Sequence, residues 1–411
     1  MDVTESSKPL GDSAAFAERI LAILDEGSFT TTYKFALLLA LLDACQEAVG
    51  PDGSVPERIP TRALAEHVVS SYWGHNRPYH AGDDSGRALP IRQSHRGRQT
   101  KIQKLIESLS ARHDVVSPGE ARLRRPDDWD RLVRKVECEL IVHPIPRLQR
   151  VGGGKEDRVL YDHDFDPPGR EPFRRHHPLT KREFEEHGMR PEIRLRAGVG
   201  EQLLRLRGLL RPVIQRHWVL EVQRMNAELG ESSLEDFLFG PERTPTRELR
   251  KGLAEVAGGC CFYCGKELRR DWEVDHFVPW ARHPDDGIHN LVAACRPCNN
   301  SKRALLAAQR HLEPWAARLE DGALRTTLDE VATEAGWEPN LPRTIAVARG
   351  QYLWLPGSAR LWEQAPSRSR PAELVPPPDR ETVLTLLGPG YEDRPEGLPY
   401  AAEAPRPPYG H

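Results

Sequence analysis

The sequence has almost no net charge and no long apolar run. It contains 58 Lys and Arg against 61 Asp and Glu, a formal net charge of −3. Overall charge therefore does not indicate a nucleic-acid partner, and any basic surface must be local. The longest apolar run, Phe35–Leu42, is far too short to span a bilayer. Residues Met1–Lys8 lack the basic-then-apolar layout of a signal peptide. These absences predict a cytoplasmic protein with no membrane partner.

The cysteines lack the even count and even spread of a disulfide framework. The chain of 411 residues has seven of them, and an odd number in a large chain argues against structural disulfides. Five of the seven fall between residues 260 and 298, and this clustering predicts metal binding. Cys45 and Cys138 stand in apolar helical settings, so we expect them to be core residues.

The first 165 residues are predicted to form a mainly helical domain. Apolar periodicity predicts helices over 14–26, 31–49, 60–73, 97–112 and 127–140. Two short extended runs, 145–151 and 158–161, then predict a hairpin. Helices followed by a hairpin could be a winged-helix-like DNA reader or a helical domain with a surface hairpin. The sequence alone leaves both readings open.

The rest of the chain divides by composition into four further parts. Residues 166–257 are predicted to hold a connector and long amphipathic helices, one of them over 198–229 with Pro212 as a place for a bend. A cysteine-rich domain is expected over 258–310, followed by helices over 311–365. From 366 to 411 proline and glycine dominate, which predicts a disordered tail. The predicted fold class is mainly α with a small α+β module.

Two Cys-x-x-Cys pairs predict a closed tetrahedral zinc site with four thiolate ligands. The four residues are Cys261, Cys264, Cys295 and Cys298. Thirty residues separate the two pairs, whereas zinc ribbons usually have about 15–20, so another element is inserted between them. Cys260 could replace Cys261 as a ligand, but its spacing to Cys264 is less suitable.

The inserted segment and the residue after the last cysteine carry groups suited to phosphodiester hydrolysis. Asp275 offers a hard oxygen ligand for a divalent ion, and Asn299 offers a second. His276 can take a proton from water. Adjacent residues on a strand point to opposite sides, so a bend after Asp275 is needed for both groups to reach one phosphate.

This arrangement resembles the HNH endonuclease family, which has the ββα-metal fold. The matching residues are Asp275-His276, Asn290-Leu291-Val292 and Cys295-x-x-Cys298-Asn299-x-x-Lys302. The resemblance implies that His276 is the general base and that Asp275 and Asn299 hold a catalytic divalent ion, Mg²⁺ or another. It also implies that Asn290 braces the loop presenting His276, and that the four cysteines hold a structural Zn²⁺.

Two positions depart from the family pattern. The third signature position is Asn299 rather than His. Asn is a weaker ligand and leaves the choice of metal open. Asp285-Asp286-Gly287 replaces the usual Gly-Gly.

Beyond the module, residues 32–38 are similar to a group of bacterial HNH proteins. We expect nucleic-acid contacts from Lys302, Arg303 and Arg282.

The predicted function is that of a metal-dependent endonuclease acting on nucleic acid, double-stranded DNA above all, in restriction, phage defence or a mobile element. Because one HNH centre cuts one strand, cutting both strands would need a homodimer or two events. Two alternatives remain: a zinc-stapled nucleic-acid-binding module without catalysis, and an RNA-cleaving HNH nuclease. An intact set of Asp275, His276, Asn290 and Asn299 favours the enzyme.

Overall fold

The structure of the protein is a computed structural model. It describes residues 13–26, 30–80, 88–95, 99–151, 155–156, 158–163, 191–226, 234–240, 245–366 and 371–388. Most of the predicted connector (164–190) and the end of the predicted tail (389–411) lie outside the described residues.

The described part of the chain is mainly helical with short antiparallel strands. Its helices are α1 (Ser13–Glu26), α2 (Tyr33–Glu47), α3 (Thr61–Trp73), α4 (Lys101–His113), α5 (Pro118–Arg124), α6 (Pro126–Val142), α7 (Val199–Arg205), α8 (Arg207–Met225), α9 (Leu234–Phe239), α10 (Arg247–Val256), α11 (Arg296–Lys302), α12 (Gln309–Glu320), α13 (Gly322–Glu334), α14 (Leu341–Leu353) and α15 (Arg380–Leu387). Its strands are β1 (Arg58–Pro60), β2 (Tyr79–His80), β3 (Ala88–Leu89), β4 (Arg150–Val151), β5 (Lys155–Glu156), β6 (Tyr161–His163), β7 (Glu192–Leu195), β8 (Glu273–His276), β9 (Leu291–Ala294), β10 (Leu361–Gln364) and β11 (Glu373–Val375).

Two apolar cores divide the described chain. The first runs from Phe16 to Leu238 and the second from Leu249 to Leu387. Helix α2 is the centre of the first core, since every one of its residues is buried. Helices α3 and α8 pack against it. Burial of this kind follows from the continuous apolar run in α2, and it takes Asp43 and Glu47 into the interior as well.

The hairpin predicted over 145–151 and 158–161 forms only in part, because the two predicted runs do not pair with each other. Residues Ile145–Arg147 form a 3-10 helix, and Pro146 has no backbone N–H to donate to a neighbouring strand. Strand β4 instead pairs with β5, and β6 pairs with β7 in a three-stranded antiparallel sheet of order β1-β7-β6. The local pairing in this region is thus limited to the two-residue strands β4 and β5, while the end of the second predicted run joins β7, about thirty residues further along the chain. The winged-helix reading is not confirmed.

The helix predicted over 198–229 is two helices, α7 and α8. The break falls at Leu206, whose backbone (φ −92°, ψ 3°) has left the helical range. Pro212 lies inside α8 and does not end it. Both helices pack into the first core with α2, so residues 199–225 are part of that unit.

The second core joins the cysteine-rich segment to the C-terminal helices. Trp315 of α12 stacks on Phe277 at a ring distance of 4.4 Å, and Trp362 of β10 contacts Tyr263.

The predicted disordered tail does not hold for residues 371–388, which contain β11 and α15. Val383 and Leu387 of α15 are fully buried. The average composition of residues 366–411, rich in proline and glycine, does not reveal these few apolar positions.

None of the helices in the described ranges is long and apolar enough to cross a membrane.

Candidate metal and nuclease site

The site is built on two strands and one helix of the second core. Strands β8 and β9 pair antiparallel, with Asp275 opposite Val292 and His276 opposite Leu291. Helix α11 follows β9 directly and begins after Cys295, with Pro297 in its first turn, where proline is well tolerated. This order, strand, strand, helix, places Asn299 and Lys302 against β8.

The four predicted zinc ligands lie together. Their sulfur atoms are all within 4.8 Å of one another. The first pair turns at Gly265, whose φ of +67° is one that only glycine adopts without strain, and its N–H donates to Cys261 O. Cys260 instead forms a bridge with Glu267. Four thiols at this separation fit a tetrahedral zinc ion by number, type and spacing.

The thiols strongly perturb one another. The hydrogen bond from the Cys298 thiol, helped by backbone N–H groups, lowers the pKa of Cys261 to about 4. Donating that bond raises the pKa of Cys298, and burial raises the pKa of Cys295 to about 11. Adjacent thiolates repel one another, so a cation is the natural partner that allows all four to ionise.

Asp275 is held from one side by protein groups. Its Oδ2 accepts a hydrogen bond from Tyr263 Oη at 2.6 Å and lies 2.9 Å from Lys302 Nζ. Its Oδ1 takes no hydrogen bond from any residue that the structure describes. The carboxylate is therefore oriented through one oxygen, while the other remains for a ligand.

Lys302 is not a surface residue, contrary to the prediction that it contacts nucleic acid. Its side chain is 0% exposed, and its ammonium also donates to the His276 carbonyl at 2.8 Å and lies over the Tyr263 ring. Helix α11 faces the second core through this position, so the cation is directed inward. Lys302 ties α11 to the Asp275-His276 strand end and cannot reach a phosphate.

Asn299 is oriented by a neighbouring carboxylate. Its Nδ2 donates to Glu273 Oε2 at 2.6 Å, and Glu273 and Asp275 share one face of β8 because they are two residues apart. Bonding of Nδ2 to Glu273 directs the amide oxygen elsewhere. No described residue donates to Asn299 Oδ1, so this oxygen is available as a second hard ligand.

His276 is the last residue of strand β8, and its ring contacts residues other than those that hold Asp275. Its Nε2 lies 2.7 Å from Asp286 Oδ1, and its ring is tilted against Trp280 at 5.6 Å. The side chain is partly exposed, so solvent can reach it.

Asn290 bonds to the segment that follows His276. Its Oδ1 accepts from Val278 N at 2.8 Å, and its Nδ2 donates to the carbonyls of Val278 and Asp285. Its own carbonyl accepts from Phe277 N. The fully buried amide thereby joins both ends of the loop that lies between them.

Two of the three cations expected to contact nucleic acid remain at the surface. Arg303 is exposed and donates to the Asn300 carbonyl of its own helix. Arg282 is partly buried, which lowers its pKa, and it donates to the Ala304 carbonyl. Neither has an ion-pair partner among the described residues.

A cleft of about 1270 Å³ opens beside the site, between the two cores. Trp280 and Asp286 line it from the nuclease side, and Arg205 and Leu209 line it from the first unit. Trp280 also donates its indole N–H to the Phe239 carbonyl of α9 at 2.8 Å. The cleft therefore connects the candidate nuclease centre with the N-terminal unit.

The sequence did not predict several hydrogen-bond partners of the site residues. Asp286, Glu273 and Tyr263 are bonded to His276, Asn299 and Asp275 respectively. A signal for Asp286 was present, because two acidic residues stand where the family has glycines. For Tyr263 and Glu273 no spacing rule links them to their partners, since packing of α11 and the first cysteine turn onto β8 creates those contacts.

Comparison with protein families identifies two segments. A family model described as HNH endonuclease matches residues 261–304, which confirms the resemblance. A second model, described as a domain of unknown function (DUF8808), matches residues 12–238, more than half of the chain. This second match covers the same residues as the first apolar core. Neither the curated proteins nor the solved structures contain a significant match to the chain.

Proposed function

The chain belongs to the family of the domain of unknown function DUF8808 and carries an HNH endonuclease domain, and from this premise we propose that it is a metal-dependent endonuclease that hydrolyses phosphodiester bonds in DNA. One observation carries the proposal. Helix α11 packs on the face of β8 that bears Asp275, so that two oxygens without protein partners, on Asp275 and Asn299, belong to the same ββα unit as His276.

The donor set fits two metals of different character. The four thiolates suit zinc, which prefers sulfur, while the carboxylate and amide oxygens suit Mg²⁺ or another hard divalent ion. An ion held by Asp275 and Asn299 would stabilise negative charge on the phosphate and the leaving oxygen. Zinc would act on the structure alone, because a closed four-sulfur site has no open position for substrate.

His276 supplies the base. Its ring is reachable by solvent and stands at the end of the strand that carries Asp275. A neutral imidazole has one nitrogen free to take a proton from water as the water attacks phosphorus. Asn290 keeps the backbone after His276 in place through Val278, so the ring is presented from a fixed strand end.

The substrate proposed is double-stranded DNA, in a restriction, phage-defence or mobile-element setting, as for many members with this domain. Arg303 and Arg282 are the cations proposed to contact its phosphates. Arg303 directly follows α11 and is exposed, and Arg282 is partly exposed and donates to the Ala304 carbonyl just after that helix. RNA shares the phosphodiester chemistry, so it serves as the matched comparison substrate.

A second candidate function, a zinc-stapled binding module without catalysis, has one observation in its favour. The buried Lys302 ammonium already neutralises one oxygen of Asp275, and a site that must bind a cation gains little from a resident one. The free Oδ1 of Asp275 and the solvent-reachable His276 argue for the enzyme instead.

The test is cleavage of supercoiled plasmid with Mg²⁺ or Mn²⁺, using wild type and His276→Ala. We expect His276→Ala to lower the rate by at least about 100-fold, the usual contribution of a positioned base. His143→Ala removes an exposed histidine of the first unit and should cut like the wild type. Equal cleavage by wild type and His276→Ala would exclude the catalytic role.

The same assay separates nicking from double-strand cleavage. One site per chain predicts that open circles appear first, and that linear product forms more steeply with protein concentration if two copies act together. Parallel reactions on DNA and RNA duplexes of the same sequence identify the substrate. Faster cleavage of RNA would replace DNA in the proposal.

A further inference from the structure

The loop after His276 is held at one end by the N-terminal unit. His283, which is 0% exposed, places Nε2 at 2.8 Å from Glu47 and Nδ1 at 3.2 Å from Asp43. Both carboxylates belong to α2, the central helix of the first core. A histidine of the HNH domain is thus buried between two acidic groups of the DUF8808 domain.

Cations from both sides complete this junction. Although burial alone would raise it, Arg211 and Arg207 hold the pKa of Asp43 well below its usual range. Arg207 also donates to the Arg282 carbonyl at 2.9 and 3.1 Å, and Arg343 of α14 pairs with Glu47 at 2.8 Å. Charges buried in pairs fix one geometry, because moving either partner leaves an uncompensated charge.

The other end of the same loop carries Asp286. Its carboxylate contacts His276 Nε2, and its carbonyl accepts from the Trp337 indole N–H. The preceding Asp285 accepts from Thr344 Oγ1 at 2.7 Å and caps the Gly287 N–H. Residues 283–287 therefore form a short rigid link between the buried junction and the ring of the proposed base.

We propose that Asp286 is the positioning residue for His276, and that the N-terminal domain holds it in place through the clamp of Asp43 and Glu47 on His283. An Asp286 carboxylate oxygen accepts a hydrogen bond from a ring N–H, so His276 carries its hydrogen on Nε2. The lone pair then lies on Nδ1, which becomes the atom that takes the proton from water. This inference rests on the proposed nuclease function and deepens it, since it gives the DUF8808 domain a part in the reaction.

The experiment uses the full chain with Asp286→Ala and Asp286→Asn, and with Asp236→Asn as control. Asp236 is an exposed carboxylate that lines the same cleft. We expect Asp286→Ala to lower kcat by about 10–100-fold, a part of the contribution of a positioned base, with KM and zinc content unchanged. Asp286→Asn should lose less, because its amide oxygen still accepts from Nε2–H.

A second readout does not depend on cleavage. Long-range ¹H–¹⁵N correlation of the His276 ring reports which nitrogen bears the proton, and we expect Nε2–H in the wild type and a mixture of tautomers in Asp286→Ala. His283→Gln should broaden the same ring signals without touching Asp286, since the loop loses its clamp. The Asp236→Asn control should leave the spectrum as it is.

The outcomes are separable from failure of the proposed function. Loss of cleavage in His276→Ala with full kcat in Asp286→Ala would overturn the positioning role alone. A rise in kcat in Asp286→Ala would mean that Asp286 blocks the base, and would overturn it as well. If the wild type cuts no nucleic acid, or cuts as His276→Ala does, the nuclease proposal falls and this inference falls with it.

Discussion

At the scale of single residues, buried charges decide what this site can do. Lys302 has the residue type of a phosphate contact, but its ammonium lies inside the second core between Asp275 and the His276 carbonyl. Burial lowers its pKa, and the Asp275 carboxylate offsets that shift in part. The lysine is therefore a structural counter-charge that orients Asp275.

This assignment predicts a stability effect for Lys302→Met. The change leaves a carboxylate that is only 8% exposed without its cation, and breaking one side of a buried pair costs about 3–5 kcal/mol in free energy of unfolding. Urea denaturation followed by circular dichroism measures it. Lys251→Met, on the exposed face of α10, should change that free energy by less than about 0.5 kcal/mol.

The contrary result is equally well defined. If Lys302 reached a phosphate, Lys302→Met would leave the unfolding midpoint unchanged and weaken DNA binding. The slope of log affinity against log salt would then become shallower by about 0.9, the value for one phosphate contact.

At the scale of elements, the two cysteine pairs hold the start of α11 against the first cysteine turn. Cys295 precedes the first residue of α11 and Cys298 lies in its first turn, while Cys261 accepts from the Cys295 N–H at 3.2 Å. A helix of seven residues is too short to be stable by itself. Its position, and with it that of Asn299, depends on the metal and on packing.

Zinc loss should therefore disturb the nuclease centre without changing its residues. We expect Cys298→Ser to lower bound zinc from about one ion per chain to well below it, as measured by plasma emission on purified protein, and to lower plasmid cleavage with it. Cys260→Ser is the matched control, because Cys260 lies outside the four-sulfur cluster. Equal zinc loss in the two variants would contradict the ligand assignment.

At the scale of the whole molecule, the two cores are joined by a buried polar junction. Arg207 is its centre, since this guanidinium contacts Asp43, His283 and the Leu42 and Arg282 carbonyls. Burial lowers its pKa to about 10, still well above neutrality. The junction makes the DUF8808 domain and the HNH domain one structural unit around the loop of Asp286.

Arg207→Met tests that statement. It removes the cation shared by both units and leaves Asp43 with Arg211 as its one arginine partner among the described residues, so we expect a loss of about 3 kcal/mol in the free energy of unfolding. Denaturant unfolding of the full chain measures it. Arg205→Met, an exposed arginine two residues earlier that lines the cleft, should stay within about 0.5 kcal/mol of wild type. A similar small effect for Arg207→Met would show that the units are joined by other contacts.

Much of the site could be predicted because its candidate ligands stand next to residues that mark turns and element ends. Spacing alone brought forward Cys261, Cys264, Cys295 and Cys298, and their sulfurs do lie together. The strand before Pro279 and the helix after Cys295 follow from local pattern. The predicted helices over 14–26, 31–49 and 60–73 correspond to α1, α2 and α3 for the same reason.

What the sequence by itself determined is the set of chemical groups and the local elements that carry them, because turn residues and periodicity act over a few residues. Only the tertiary structure decided the direction of each charged side chain. The Lys302 side chain is buried against Asp275. Strand β6 pairs with β7, some thirty residues further along the chain, and His283 contacts Glu47 of the first core. Those outcomes depend on which distant surfaces meet and on the cost of leaving a buried charge unpaired, and no local pattern contains that information.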